Sequence, residues 1–273
     1  MKKICMVLAG LALALSGLLA SVSASATTLS GPGQHPAIHI VAPHGRPMMS
    51  PHGASIVYSS NSSGYAATPK SGHASAFQYV NASYTVPSLS CPAGGNNGDL
   101  QLTALTPGVS QFGYEDGINA VCEPGGSPLY QAWYDTPAGG GAFDVDAGDA
   151  VASSVDYDAT TGVYTLKLTD ATTGQAFDIT QKSPIPNTVA EVVTVGEGGS
   201  NDGMAAFGAV HFDTIKVTDS AGQSGGLASS NWTTDKVVAL GPVSGQIEAQ
   251  PGPLYATSSS AQSAFETTWL RGS

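Results

Sequence analysis

Beyond about residue 59 the chain alternates between apolar and polar positions in short runs. Phe77–Pro87 (FQYVNASYTVP), Tyr130–Thr136, Val163–Thr169 and Ala206–Val217 all carry this two-residue period, which marks a strand with one buried face. Further strands are expected at Leu100–Thr106, Phe143–Val145, Ala150–Tyr157, Phe177–Gln181, Val189–Val195, Lys236–Leu240, Gln246–Ala249 and Ala264–Leu270. No stretch pairs an apolar stripe at helical spacing with capping residues. Asp158-Ala-Thr-Thr-Gly162 returns twelve residues on as Asp170-Ala-Thr-Thr-Gly174. An Asp that opens a turn and a Gly that accepts positive φ suit two successive hairpin tips of a meander. Ten or more short strands over about 215 residues predict one all-β domain. The expected architecture is a sandwich of two antiparallel sheets with little or no helix.

Two stretches at the start break this pattern. Lys2 and Lys3 precede an apolar run from Ile4 to Ala20, and Ala24-Ser25-Ala26 follows. That order is a secretory signal peptide over 1–26; the run is short for an anchor and a small-residue site follows it. From Thr27 to Tyr58 the chain is rich in Pro and Gly. It has no acid, one Arg (Arg46) and four of the six histidines, His35, His39, His44 and His52. Such a stretch builds no core, so 27–58 reads either as a flexible leader or as a propeptide whose histidines charge in acid. The folded domain is expected over 59–273, in a secreted protein, extracellular or periplasmic, with no membrane contact after the signal is removed. Cys5 leaves with the signal. In an oxidising compartment Cys91 and Cys122 are then expected to pair and close a loop of about 30 residues.

Composition narrows the function. The chain has 273 residues, 9 Lys and Arg against 20 Asp and Glu, a net charge of −11, and only 11% charged residues. All the acids lie at Asp99 or later. A nucleic-acid partner is excluded by sign, and an anionic-membrane surface is disfavoured for the same reason. There is no HExxH, no cysteine–histidine cluster at zinc spacing, no GxSxG, and no Asp-Thr-Gly or Asp-Ser-Gly, so no metal or other cofactor is expected. Asp144 and Asp146 have the spacing of a carboxylate pair on one strand face, but they run into Ala147-Gly148-Asp149 and read as a strand end and turn.

Polar residues in unusual places remain. By the strand period Val189, Glu191, Val193 and Val195 share a face, which sets one carboxylate among valines. If Val109–Glu115 is one strand, Gln111 shares a face with Val109, Gly113 and Glu115. Gln131, Trp133 and Asp135 fall together, an aromatic flanked by polar groups as in a binding groove. Each of these also has an ordinary structural reading: a hydrogen-bonded glutamine, a glutamate at a rim, a tryptophan in the core.

Taken in order, Ser60–Tyr65 (SNSSGY), Tyr84-Thr-Val-Pro87, Gln111-Phe-Gly113, Ala132-Trp133-Tyr134-Asp135, Ala147-Gly148-Asp149, Thr173-Gly174-Gln175, Ala190-Glu191, Ala206–Phe212 and Phe265–Trp269 resemble the eqolisins, the glutamic peptidases. The resemblance covers nearly all of Ser59–Leu270. It implies an acid endopeptidase, insensitive to inhibitors of aspartic peptidases; the protein is expected to act on polypeptides and to be a monomer. Carried over by position, Gln111 and Glu191 match the catalytic glutamine and glutamate. Trp133, Asp135, Glu115 and Tyr65 fall to the substrate cleft. Ser62 stands where the family has a tryptophan, and Leu100–Gly108 lies in place of its Trp-Val-Gly-Ile-Asp-Gly stretch, so Trp133 is the cleft aromatic that survives. In a different class, a lectin-like or surface-binding sandwich would keep the fold without the chemistry and hold its ligand at Trp133.

Overall fold

The computed structural model of the protein describes residues 48–49, 55–59, 62–70, 72, 76–91, 101–109, 114–122, 126–186, 188–196, 204–241, 245–257 and 261–270. No helix occurs among them. Two sheets face each other across an apolar core. The first runs, in spatial order, β1 (Met48–Met49), β2 (Ser55–Ser59), β15 (Trp232–Leu240), β3 (Ser62–Pro69), β12 (Ala190–Gly196), β5 (Gln101–Val109), β6 (Tyr114–Cys122), β7 (Pro128–Asp135) and β8 (Gly141–Asp144). The second runs β11 (Ala176–Lys182), β10 (Val163–Asp170), β9 (Ala150–Asp158), β4 (Phe77–Thr85), β13 (Ala209–Asp219) and β18 (Ser263–Trp269). Short strands β14 (Ser224–Gly225) and β17 (Tyr255–Ala256) extend β13 and β18. Pairing is antiparallel except between β2 and β15. β16 (Ile247–Pro251) bonds both β15 and β18 and so joins the two sheets along one side.

The alternation read from the sequence is what fills the core. Val151, Val155 and Tyr157 of β9, Tyr164, Leu166 and Leu168 of β10, and Val80, Ala82 and Tyr84 of β4 point inward from the second sheet. Tyr65, Ala190, Val192, Tyr114 and Ile118 meet them from the first. Tyr114 stacks on Tyr164 across the gap at 3.9 Å between ring centroids. The repeated loops form as expected. The Asp158 carboxylate accepts the Thr160 amide at 2.8 Å with Gly162 at φ 65°, and Asp170 accepts Thr172 at 2.8 Å with Gly174 at φ 80°. Asp146 likewise belongs to a turn, its amide donating to Asp149 at 2.7 Å.

The parity of β13 changes partway along. Phe212 and Asp213 pair Tyr84 and Ser83, but Lys216, Val217 and Thr218 pair Asn81, Val80 and Tyr79, one residue out of step. The bulge at Thr214, at φ 52° the one non-glycine residue with positive φ among the described residues, keeps Phe212, Ile215 and Val217 all buried. It also turns Lys216 and Thr218 outward. The Asn81 amide clamps it, donating to the Thr214 carbonyl and accepting the Lys216 amide, each at 3.1 Å.

Cys91 and Cys122 are joined, with Cα atoms 5.5 Å apart. Ser55–Tyr58 lie in β2, so the sheet takes in the end of the stretch that composition groups with the leader. The signal peptide and most of that leader fall outside the described residues. The reading of Val109–Glu115 as a single strand needs correction. Val109 ends β5 and pairs with Tyr114 at the start of β6, so Val109 and Glu115 sit on two antiparallel strands.

Candidate active site

Strand register lines up a row of residues straight across the first sheet. Ser55 pairs Asp235, Asp235 pairs Ala66, Ala66 pairs Glu191, Glu191 pairs Gly108, Gly108 pairs Glu115, and Glu115 pairs Asp135. Directly paired residues share a face, so three further carboxyl-bearing positions lie on the row of Glu191. The face is the one turned away from the core: Val192 and Ala190, on the other side of β12, belong to the main core. With strands about 4.8 Å apart, the Glu191 and Glu115 backbones are roughly 10 Å from each other.

Glu191 is held among small neighbours. Ala66 and Gly108 stand on either side of it, leaving the space over the carboxylate to no bulky side chain of the row. β3 comes this close to β12 because of Gly64, where an added Cβ would lie 2.3 Å from the Val192 carbonyl oxygen. One row along, Trp133 packs with Val193 and Val195, while Ala66, Val189 and Val237 form a neighbouring apolar group. Glu191 is 1% exposed and Trp133 is 3% exposed. The β6–β7 side of the face is more open, with Glu115, Asn119, Gln131 and Asp135 half-buried.

The electrostatics of the row are those of crowded acids. Burial, and then the charge of Asp135 opposite, push the Glu115 carboxyl up to about 7. Asp235 accepts a hydrogen bond from the Ser55 hydroxyl, which ties β2 to the row. On the reverse face of β6, Asp116 is fully buried in the core, where the Ser153 hydroxyl donates to it. Burial drives its carboxyl well above the ordinary range, against the pull of that hydrogen bond. The buried Tyr84 hydroxyl is raised by the same burial and by Asp116.

The residues singled out from the sequence divide accordingly. Glu191, Glu115, Asp135 and Trp133 share one face. Gln111 lies outside the described residues; the strand ends on either side of it, Val109 and Tyr114, pair one position beyond Gly108 and Glu115. Tyr65 does not belong to this face. It is one residue from Ala66 and so points the other way, packs edge-on against Phe265 at 4.9 Å, and donates its hydroxyl to the Gly252 carbonyl at 2.7 Å. Trp133 is covered as Glu191 is, so a sugar would reach the ring, like a peptide the carboxylate, only by displacing that cover. Sequence reasoning missed Asp235 and Asp116. Period-two counting over Tyr114–Cys122 would have sent Asp116 inward, whereas Asp235 becomes visible only through register.

Comparison with known proteins gives one match to a family and several to solved structures. The sequence model of the Peptidase A4 family matches residues 60–245. Two crystal structures of scytalidoglutamic peptidase are similar in fold: one with a transition-state analogue inhibitor (20% identity, TM-score 0.54) and one with a peptide-based transition-state analogue (18%, 0.53). SCP-B, a member of the eqolisin family solved with the tripeptide Ala-Ile-His, is similar at 18% identity and a TM-score of 0.50. Each comparison covers 77% of this chain and 98% of the other. No curated protein sequence matches the chain.

Proposed function

Because the chain belongs to the Peptidase A4 family and is on that ground a glutamic endopeptidase, we propose that Glu191 and Gln111 carry its chemistry. Glu191 takes a proton from the water that attacks the scissile carbonyl and returns it to the leaving amine. Gln111, a neutral side chain with both donor and acceptor, holds that water and donates its amide N–H to the developing oxyanion. The observation that supports this most directly is the row itself: Glu191 stands between Ala66 and Gly108, on the face turned away from the core, in line with Glu115 and Asp135. Val109 and Tyr114, the strand ends nearest Gln111 in the chain, lie within two positions of that row.

A substrate reaches Glu191 only by replacing whatever covers it, since the side chain is 1% exposed. The half-buried Glu115 and Asp135 then flank the bound peptide, and Trp133 with Val193 and Val195 forms the apolar floor beside it. The protein is exported on the signal peptide 1–26, sheds a part of 27–58 that precedes β2 as a prosegment, keeps its Cys91–Cys122 bond in an oxidising compartment, and acts as a monomer in acid.

The test is digestion of a denatured protein at pH 3–4 with pepstatin present. Cleavage should continue, Glu191→Gln should abolish it, and Gln111→Ala should lower turnover by about 10²–10³-fold, as loss of one oxyanion donor does. Inhibition by pepstatin, or a Glu191→Gln enzyme that still cuts, would refute the assignment.

A further inference from the structure

We propose that the outer face of the second sheet, on the opposite side of the sandwich from Glu191, binds a neutral oligosaccharide in a groove over Tyr79. The groove is a cavity of about 580 Å³ whose lining includes Gln78, Tyr79, Asp156, Lys216, Thr218 and Ser224. Register puts its walls in place: Asp156, Tyr79 and Thr218 form one row across β9, β4 and β13, and Ser154, Asn81 and Lys216 form the next. The Thr214 bulge turns Lys216 and Thr218 to this face. The Tyr79 hydroxyl bonds to Ser154, a diagonal neighbour on β9. Tyr79 is half-buried and lines the groove, so part of its ring is open to it.

These features select the ligand. β4 is laddered on both sides, to β9 and to β13, so a peptide has no free edge here on which to add a strand. Any ligand must be read by side chains alone. One lysine against Asp156 and Asp158 gives no excess of positive charge for a phosphate or sulfate polymer. The lining is too polar for an acyl chain. A sugar ring matches both parts of the groove, with its C–H face on Tyr79 and its hydroxyls toward Gln78, Asp156, Lys216 and Thr218. Burial, then the charge of Asp158, raises the Asp156 carboxyl above the ordinary range, so in acid it both donates and accepts. Such a site would tether the enzyme to a glycosylated surface or substrate, and it stands whether or not Glu191 and Gln111 act as proposed.

The experiment is affinity electrophoresis of the full protein at pH 4–5 in gels containing laminarin, mannan, soluble xylan or chito-oligosaccharides, with heparin as the anionic control. At least one neutral glycan should retard the protein. Tyr79→Ala should weaken that retardation roughly tenfold, the upper end of one aromatic contact, with cleavage of an unglycosylated protein unchanged. Ser224→Trp, at the exposed rim, should block the groove without touching β4, and it decides the matter if Tyr79→Ala fails to fold. Retardation by heparin alone, by no neutral glycan, or to the same degree in a folded variant as in the wild type would overturn the proposal.

Discussion

Glu115 and Asp135 stand directly opposite one another on β6 and β7, two carboxyl groups on one face with no cation opposite either in the row. Burial and the charge of Asp135 raise Glu115 to about 7, so from acid to near neutrality it keeps its proton and the pair carries at most one negative charge. In an unfolded chain the same glutamate ionises near pH 4.3. The folded state therefore binds the extra proton between about pH 4 and pH 7, and stability falls as pH rises through that window.

Glu115→Gln removes this dependence. Its unfolding free energy should match that of the wild type near pH 4 and exceed it at pH 7.5 by on the order of 1–3 kcal/mol. Urea titrations at the two pH values measure the difference. Parallel wild-type and variant profiles would show that the pair is not coupled.

Asp116 gives the same sign from the opposite side of the strand. It is buried in the core with Ser153 as its donor, and its carboxyl is raised by that burial. Below about pH 3.9 both folded and unfolded states hold the proton; above it the folded state increasingly pays to keep what the unfolded chain gives up. Asp116→Asn keeps the shape and an acceptor for Ser153. Its melting temperature should fall less than that of the wild type from pH 4 to pH 8, keeping only the part due to Glu115, as calorimetry across the range would show.

Gly64→Ala tests the close approach of β3 to β12. The new methyl would lie 2.3 Å from the Val192 carbonyl and 2.7 Å from the Val193 Cα, backbone that cannot move without moving Glu191. A loss of about 2–4 kcal/mol is expected, together with reduced turnover in whatever fraction remains folded. Thermal denaturation and specific activity per folded molecule measure the two separately.

The Cys91–Cys122 bond closes a loop with a sequence separation of 31 residues that contains β5, a neighbour of the Glu191 strand. The chain-entropy model assigns about 3–4 kcal/mol to such a loop. A Cys91→Ala/Cys122→Ala variant should lose about that much in urea denaturation, and the wild type should show no such loss until reductant is added.

Strands with one wet face were legible because their burial alternates. β9 and β10 are the clearest, with Val151, Val155 and Leu166, Leu168 inward and their neighbours outward. β3 was not legible. Ser62–Ala67 is buried on both faces, so it has no alternation, and the small residues that let it press on β12 carry little strand signal. Glu191 could be singled out because a carboxylate among valines is costly and therefore conspicuous. The row joining it to Asp235, Glu115 and Asp135 could not, since register is fixed by pairings between strands far apart in the chain. Tyr65 was misplaced for a related reason: the resemblance located the segment but did not say which of two adjacent residues faces outward.

β16 hydrogen-bonds to both sheets and acts as the spine of a book whose covers are the two sheets. Among the described residues the far margin is held by side chains: Tyr134 and Phe143 of the first sheet pack on Phe177 of the second, ring centroids 5.0 and 6.1 Å apart, and the Gln175 amide donates to the Asp144 carbonyl at 3.3 Å. Opening the sandwich along that margin means parting three aromatic rings and one side-chain hydrogen bond. β7 and β8, which carry Trp133 and Asp135, lie at that clasp, whereas Glu191 on β12 lies nearer the spine.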